Sequence, residues 1–216
     1  MIFNDLYNAL LNKNTPMISL LQPGLSESEL TSFLQKVNIT LPPDVYALYA
    51  WRNGVDEDAL ESKVLGQLAL FPLGIFIPFE IALDEFVTHT EGRYWDKNLF
   101  PLFGSGGGDY YIIDCQEDSS TFGMIYFYSP TNVDFYGVVT KFDSLNSLII
   151  TITECYNSNL YYIDEESYLE VDFKKERSIS KKNNSQSNYW KILIDINYRK
   201  YCFKEKPDRK EIFFKG

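Results

Sequence analysis

Residues 93–115, Arg-Tyr-Trp-Asp-Lys-Asn-Leu-Phe-Pro-Leu-Phe-Gly-Ser-Gly-Gly-Gly-Asp-Tyr-Tyr-Ile-Ile-Asp-Cys, constrain the fold more than any other stretch. Two short apolar runs, Leu99 to Phe103 and Tyr110 to Ile113, flank a loop of four glycines. Short apolar runs bounded by turn residues are the pattern of buried strands. The glycines invite a phosphate-binding reading. A phosphate cradle needs strand, glycines and then a helix whose N-terminus faces the anion. Here Asp109 and a second strand follow, with no Lys-Ser/Thr, so the loop reads as a connection inside a strand pair.

The flanking segments predict helices and further strands. Ser26 and Glu29 have the spacing of a capping box, and Leu30, Phe33, Leu34 and Val37 form a helical stripe behind them, predicting a helix over 26–37. Pro42-Pro43 opens a second helix, with Asn53-Gly54 as its left-handed stop. Residues 65–78 are apolar but broken by Gly66, Pro72 and Gly74, predicting one or two short strands. Phe79, Ala82, Leu83, Phe86 and Val87 predict a helix ending near Gly92. The aromatic run 122–130 predicts a strand antiparallel to 110–114, and 135–140 a shorter one. Leu145, Leu148, Ile149, Ile152 and Tyr156 predict a helix with Asp143 and Ser144 as cap candidates. A charged, helix-compatible stretch covers 172–182. From Trp190 onward apolar residues alternate with polar ones, and with a second run at 210–215 they predict a basic β-hairpin. The expectation is α+β: a single mixed, largely antiparallel sheet with helices packed around it, plus that C-terminal extension. The expected division is a helical lead-in (1–24), the α+β domain (25–190) and the hairpin (191–216).

Charge is unevenly spread. Residues 1–172 hold 7 Lys/Arg against 25 Asp/Glu, a net of −18, whereas residues 173–216 hold 13 against 5, a net of +8. An acidic body repels nucleic-acid phosphates and attracts basic partners. The basic tail interleaves aromatic residues with Lys and Arg, the composition of a nucleic-acid stacking platform. The competing and preferred reading pairs it with the acidic body in the same molecule or across a dimer. No direct nucleic-acid contact is expected, and the chain is expected to be a monomer or homodimer.

No catalytic or metal pattern assembles. Cys115, Cys155 and Cys202 are far apart and contain no CxxC, which argues against a disulfide framework or a zinc site. His89 is the single histidine, without a nucleophile motif nearby, and reads as a surface or helix-end residue. Asp109 and Asp114 are five apart and so face opposite sides of a strand; they read as a turn carboxylate and a strand-end cap. No window is long and apolar enough for a membrane span, and the N-terminus lacks the pattern of a secretory signal. A soluble, cytoplasmic, non-enzymatic protein without cofactor is expected.

Several positions together resemble the SUKH superfamily, named partly for yeast cell-wall-assembly and killer-toxin-resistance proteins. They are 41–49 running into Asn53-Gly54; 81–86 leading to Trp95 and then Phe100-Pro101-Leu102-Phe103; Gly108-Asp109-Tyr110-Tyr111-Ile112-Ile113-Asp114 with 123–126; and 145–152 with the Tyr-rich segment after it. The likeness covers about 25–190, and the part beyond Trp190 departs from it. The resemblance implies an α+β fold with no catalytic activity. It also implies, for bacterial members, immunity proteins that neutralise a toxin domain, often a nuclease. The leading expectation is therefore an immunity or inhibitor protein; the other is a cytosolic scaffold or regulator with an endogenous partner. Candidate docking residues are Asp56, Glu57, Asp58 and Glu61, an acidic run that would speed association with a basic toxin, together with Trp51, Trp95 and Asp109. Trp51 and Trp95 read as core first and anchors second.

Overall fold

The computed structural model describes residues 2–130, 138–187 and 189–192. The chain opens with α1 (Ile2–Asn12), a 3₁₀ turn over Pro16–Leu20 and β1 (Leu21–Pro23). Then come α2 (Glu27–Leu34), α3 (Pro43–Trp51), β2 (Arg52–Val55) and α4 (Glu57–Ser62). A 3₁₀ turn at Leu65–Gln67 leads to β3 (Ile75–Phe76), α5 (Phe79–Glu91), β4 (Leu99–Gly104) and β5 (Tyr110–Asp114). Next are β6 (Ile125–Tyr128), β7 (Val138–Phe142) and α6 (Leu145–Asn157). The described part ends with β8 (Tyr161–Ile163), β9 (Leu169–Val171), α7 (Phe173–Asn183) and α8 (Tyr189–Ile192).

The fold is α+β. Strands β3-β4-β5-β6-β7 form one antiparallel sheet in that order, and β1-β2 and β8-β9 are separate two-stranded ribbons. The glycine loop joins β4 to β5. Its four-residue closure is made by Ser105, whose Oγ accepts from the Gly107 and Asp109 N–H groups, with Gly106 and Gly108 at positive φ. Pro101 cannot donate to a ladder, and the chain accommodates it with a register shift between Pro101 and Phe103. A second shift, between β6 and β7, pairs Thr140 with Tyr126 and Phe142 with Ile125, leaving Lys141 as the extra residue.

One face of the sheet, with Phe76, Phe103, Tyr111, Ile113, Ile125 and Phe142, belongs to the main core. That core also takes the apolar stripes of α1, α3, α5 and α6. Of the one or two short strands expected in residues 65–78, one forms, Ile75 and Phe76 pairing with β4. The rest is irregular and held by tyrosine hydroxyls. Tyr156 donates to the Leu70 carbonyl at 2.9 Å, Tyr111 to that of Pro72 at 3.0 Å, and Tyr49 to that of Ile77 at 3.1 Å. These bonds satisfy carbonyls that a regular ladder would otherwise have used.

Two expectations are corrected. Helix α3 ends at Trp51, and Asn53-Gly54 lies inside β2 instead of forming a helical stop. Residues 189–192 form one helical turn where alternation predicted the start of a strand. The Trp190 indole is drawn inward there to donate to the Lys141 carbonyl at 2.6 Å and to pack on Phe142. The remainder of the predicted hairpin, and Cys202, lie outside the described residues. Cys115 and Cys155 are buried free thiols, and burial holds the Cys155 thiol up at about 12. No described helix is long and apolar enough to cross a membrane.

Candidate functional site

Strand alternation gives β5 and β6 a second face. Tyr110 and Ile112 point away from the side that holds Tyr111 and Ile113, and they pair with Tyr128 and Tyr126. On this face Trp95, Ile112 and Tyr128 form a small core of their own, flanked by Leu99, Tyr110 and Tyr126. Trp95 comes from the connection between α5 and β4 and meets Tyr110 and Tyr128 edge-on, at 5.4 and 5.2 Å between ring centroids. Such T-shaped contacts set the positive edge of one ring against the negative face of another.

His89, in the last turn of α5, lies flat on Trp95 at 4.1 Å with 6° between the planes. Glu85, one turn earlier, reaches the same imidazole, with its Oε2 3.2 Å from Nδ1. Burial first, then the hydrogen bond and charge of Glu85, push the Tyr110 phenol well above its ordinary range. Tyr128 is also raised, by burial and then by Tyr94. These tyrosines are neutral donors at physiological pH. Tyr94 edges against His89 and is 63% exposed, the most open ring of the group. The Trp95 indole N–H is buried and finds no acceptor among the described residues.

The seven predicted docking residues fall into two groups. Trp95 and Asp109 belong to this second sheet face and its loop. Asp109 sits beside Tyr110 and closes the glycine loop, its Oδ2 accepting from Ser105 Oγ at 3.2 Å. The other five attach to α3, β2 and α4. Trp51 is half-buried and stacked on Phe3 of α1 at 5.4 Å, with the Arg52 guanidinium 6.0 Å over its ring. Asp56 caps α4, its Oδ1 accepting from the Asp58 and Ala59 N–H groups at 3.0 and 3.4 Å. Glu57, Asp58 and Glu61 are exposed on that helix.

Asp114 lies at the end of β5 and accepts from the Gln116 N–H and the Thr121 hydroxyl. It is the strand-end cap that its spacing predicted. Glu85, Tyr94, Tyr110, Tyr126 and Tyr128 were not picked out in advance. Their period-two and i,i+4 spacings are visible in the sequence, but the registry that stacks them is not. Among the described residues, no group of three or more His, Cys, Asp or Glu side chains comes together to hold a metal.

What the geometry defines is an α+β domain with a tyrosine- and tryptophan-rich second sheet face. Residues 24–151, well over half of the chain, match the model of the SMI1/KNR4 family (SUKH-1), and the protein belongs to that family. None of the curated proteins matches the chain.

Proposed function

We propose that this protein is a non-enzymatic immunity or inhibitor protein, which neutralises a basic toxin domain by covering it. The observation that carries the reading is an exposed tyrosine, Tyr94, set on a packed aromatic cluster in a strongly acidic family domain. Residues 24–151 hold 6 Lys/Arg against 18 Asp/Glu, a net of −12. Tyr and Trp lead the residues that dominate binding energy at protein interfaces, and acidic surroundings select a cationic partner and speed its arrival. A nuclease domain, which must hold phosphates, presents such a cationic surface. In this reading Tyr94 and Tyr126 anchor the partner, supported from beneath by the Trp95–His89 stack, with Glu85 and Asp109 at their edge. The acidic turn 56–61 acts at longer range.

Purification of the chain with its bound partner from its native cell, followed by co-expression of the two, tests the reading. The expected partner is a basic toxin whose killing the chain suppresses. Recovery of housekeeping proteins alone, with no toxin suppressed, overturns it. With the partner in hand, Tyr94→Ala is expected to speed dissociation about tenfold or more. Joint replacement of Asp56, Glu57, Asp58 and Glu61 by Lys is expected to slow association and flatten its salt dependence. Unchanged association after that replacement removes the turn from the docking surface.

A further inference from the structure

Lys141 is a buried cation with little polar company. It is the extra residue of the β6–β7 bulge, and its side chain turns to the core side of the sheet, where it is 8% exposed. Its Nζ donates to the Tyr111 hydroxyl at 2.8 Å. Four rings surround the ammonium: Phe127 at 4.6 Å, Tyr111 at 4.8 Å, Tyr189 at 4.8 Å and Trp190 at 5.7 Å from their centroids. Among the described residues no carboxylate comes within ion-pair distance.

The first two rings belong to the sheet, whereas Tyr189 and Trp190 lie beyond residue 151, where the family match ends. The segment that carries them is fastened to β7 and α6 by a row of hydrogen bonds. Asn184 Oδ1 accepts from the Asp143 N–H at 3.0 Å and from Ser147 Oγ at 2.7 Å, while its Nδ2 donates to Thr151 Oγ1 at 3.2 Å. Ser187 Oγ donates to the Thr140 carbonyl at 3.0 Å, and Trp190 Nε1 to that of Lys141 itself. The fastening is a single layer laid over a charge.

We propose that α7, the turn after it and α8 form a strap that opens and closes over Lys141, with closure coupled to release of the lysine's proton to solvent. Sealing an ammonium away from water is unfavourable, and the rings and the phenol return only part of that. The balance shows in the amine itself. Burial, opposed by the more distant Glu176 and Asp109, brings its pKa from the ordinary 10.5 down to about 8. The open lysine keeps its ordinary affinity for the proton, so between those two values closing expels a proton and rising pH favours the closed strap.

Other titratable groups face this cage from each side. Tyr111 of β5 and Tyr189 of α8 have phenols raised by burial. Arg177 of α7 acts on Tyr189 in the opposite sense. Glu176 of α7 accepts from Tyr161 of β8 at 2.6 Å, and its carboxyl is raised by burial. Phe127 of β6 brings no charge. Opening uncovers Phe142 and the outer side of β7.

Hydrogen exchange of the full chain at about pH 7 and about pH 9, corrected for the intrinsic rate, tests the coupling. Protection of residues 173–187 relative to α6 is expected to rise about tenfold or more with pH. In Lys141→Met it is expected to be high at both pH values. A Lys141→Met variant that loosens the strap or keeps the pH dependence overturns the proposal, as does a strap that opens only together with α6. The wild-type chain gives a second reading: by NMR the Lys141 amine is expected to titrate below the surface lysines, and to do so in Glu176→Gln as well. Titration alongside the surface lysines overturns the coupling.

Discussion

Asn53 serves a helix that begins 26 residues further along. It is 3% exposed, its Oδ1 accepts from the Phe79 N–H at 2.9 Å, and its Nδ2 donates to Glu80 Oε2 at 3.1 Å. The residue before α5 is Pro78, which has no side-chain acceptor, so Asn53 supplies the cap from β2. Next to it, Gly54 sits at φ +73°, and a Cβ there would lie 2.4 Å from the Pro78 nitrogen. Asn53-Gly54 reads as a local helix stop because a Gly just past a helical stripe commonly ends a helix; tertiary contact with α5 reassigns it. Asn53→Ala leaves a buried N–H without a partner and is expected to lower stability by about 1–3 kcal/mol in urea unfolding. Glu176 acts on pH dependence. Burial raises its carboxyl in the folded chain, so between the unfolded value near 4.5 and the folded one the native state binds more protons. Stability is therefore favoured at the acid end of that window and falls as pH rises through it. Glu176→Gln is expected to flatten that slope in urea midpoints measured just above pH 4.5.

At the scale of elements, the features readable in advance were those whose signals are local. Helix α6 begins at the Ser144 cap: the Ser147 N–H donates to Ser144 Oγ at 3.0 Å, and the Ser144 N–H to Ser147 Oγ at 2.9 Å. Ser144→Ala is expected to remove about 1 kcal/mol in thermal or urea melts. The stripe behind that cap placed α6, just as the capping box at Ser26 placed α2. Strands β4, β5 and β6 were legible from their apolar runs and the turns between them. The β8–β9 ribbon was missed because three residues on each side give no usable period. Residues 65–78 hold one of the one or two short strands expected, and the rest stays unpaired for another reason. Their apolar run is buried, but its carbonyls are satisfied by Tyr49, Tyr111 and Tyr156, which lie far away in sequence. The second sheet face was half legible: alternation puts Tyr110 with Ile112 and Tyr126 with Tyr128, but only the β5–β6 register and the end of α5 bring Trp95 and His89 onto them.

Across the whole molecule, the acidic body has few internal counterions among the described residues. Among the described residues, both Lys–carboxylate bridges use cations of α7: Lys175 with Asp172, and Lys182 with Glu154. Repulsion within residues 1–172 therefore opposes the folded state, and added salt screens it. Raising sodium chloride from about 20 mM to about 300 mM is expected to raise the melting temperature, read by circular dichroism. A different consequence follows from the packing of α1 against α6. During synthesis α1 must wait for residues 145–157 before Leu6, Ala9 and Leu10 can be covered. At about 5–20 residues per second that is a delay of roughly 7–30 seconds, during which an apolar stripe travels unclothed. A nascent segment of this kind is a client for a chaperone, and the native packing of α1 is sealed late, by a helix made more than a hundred residues after it.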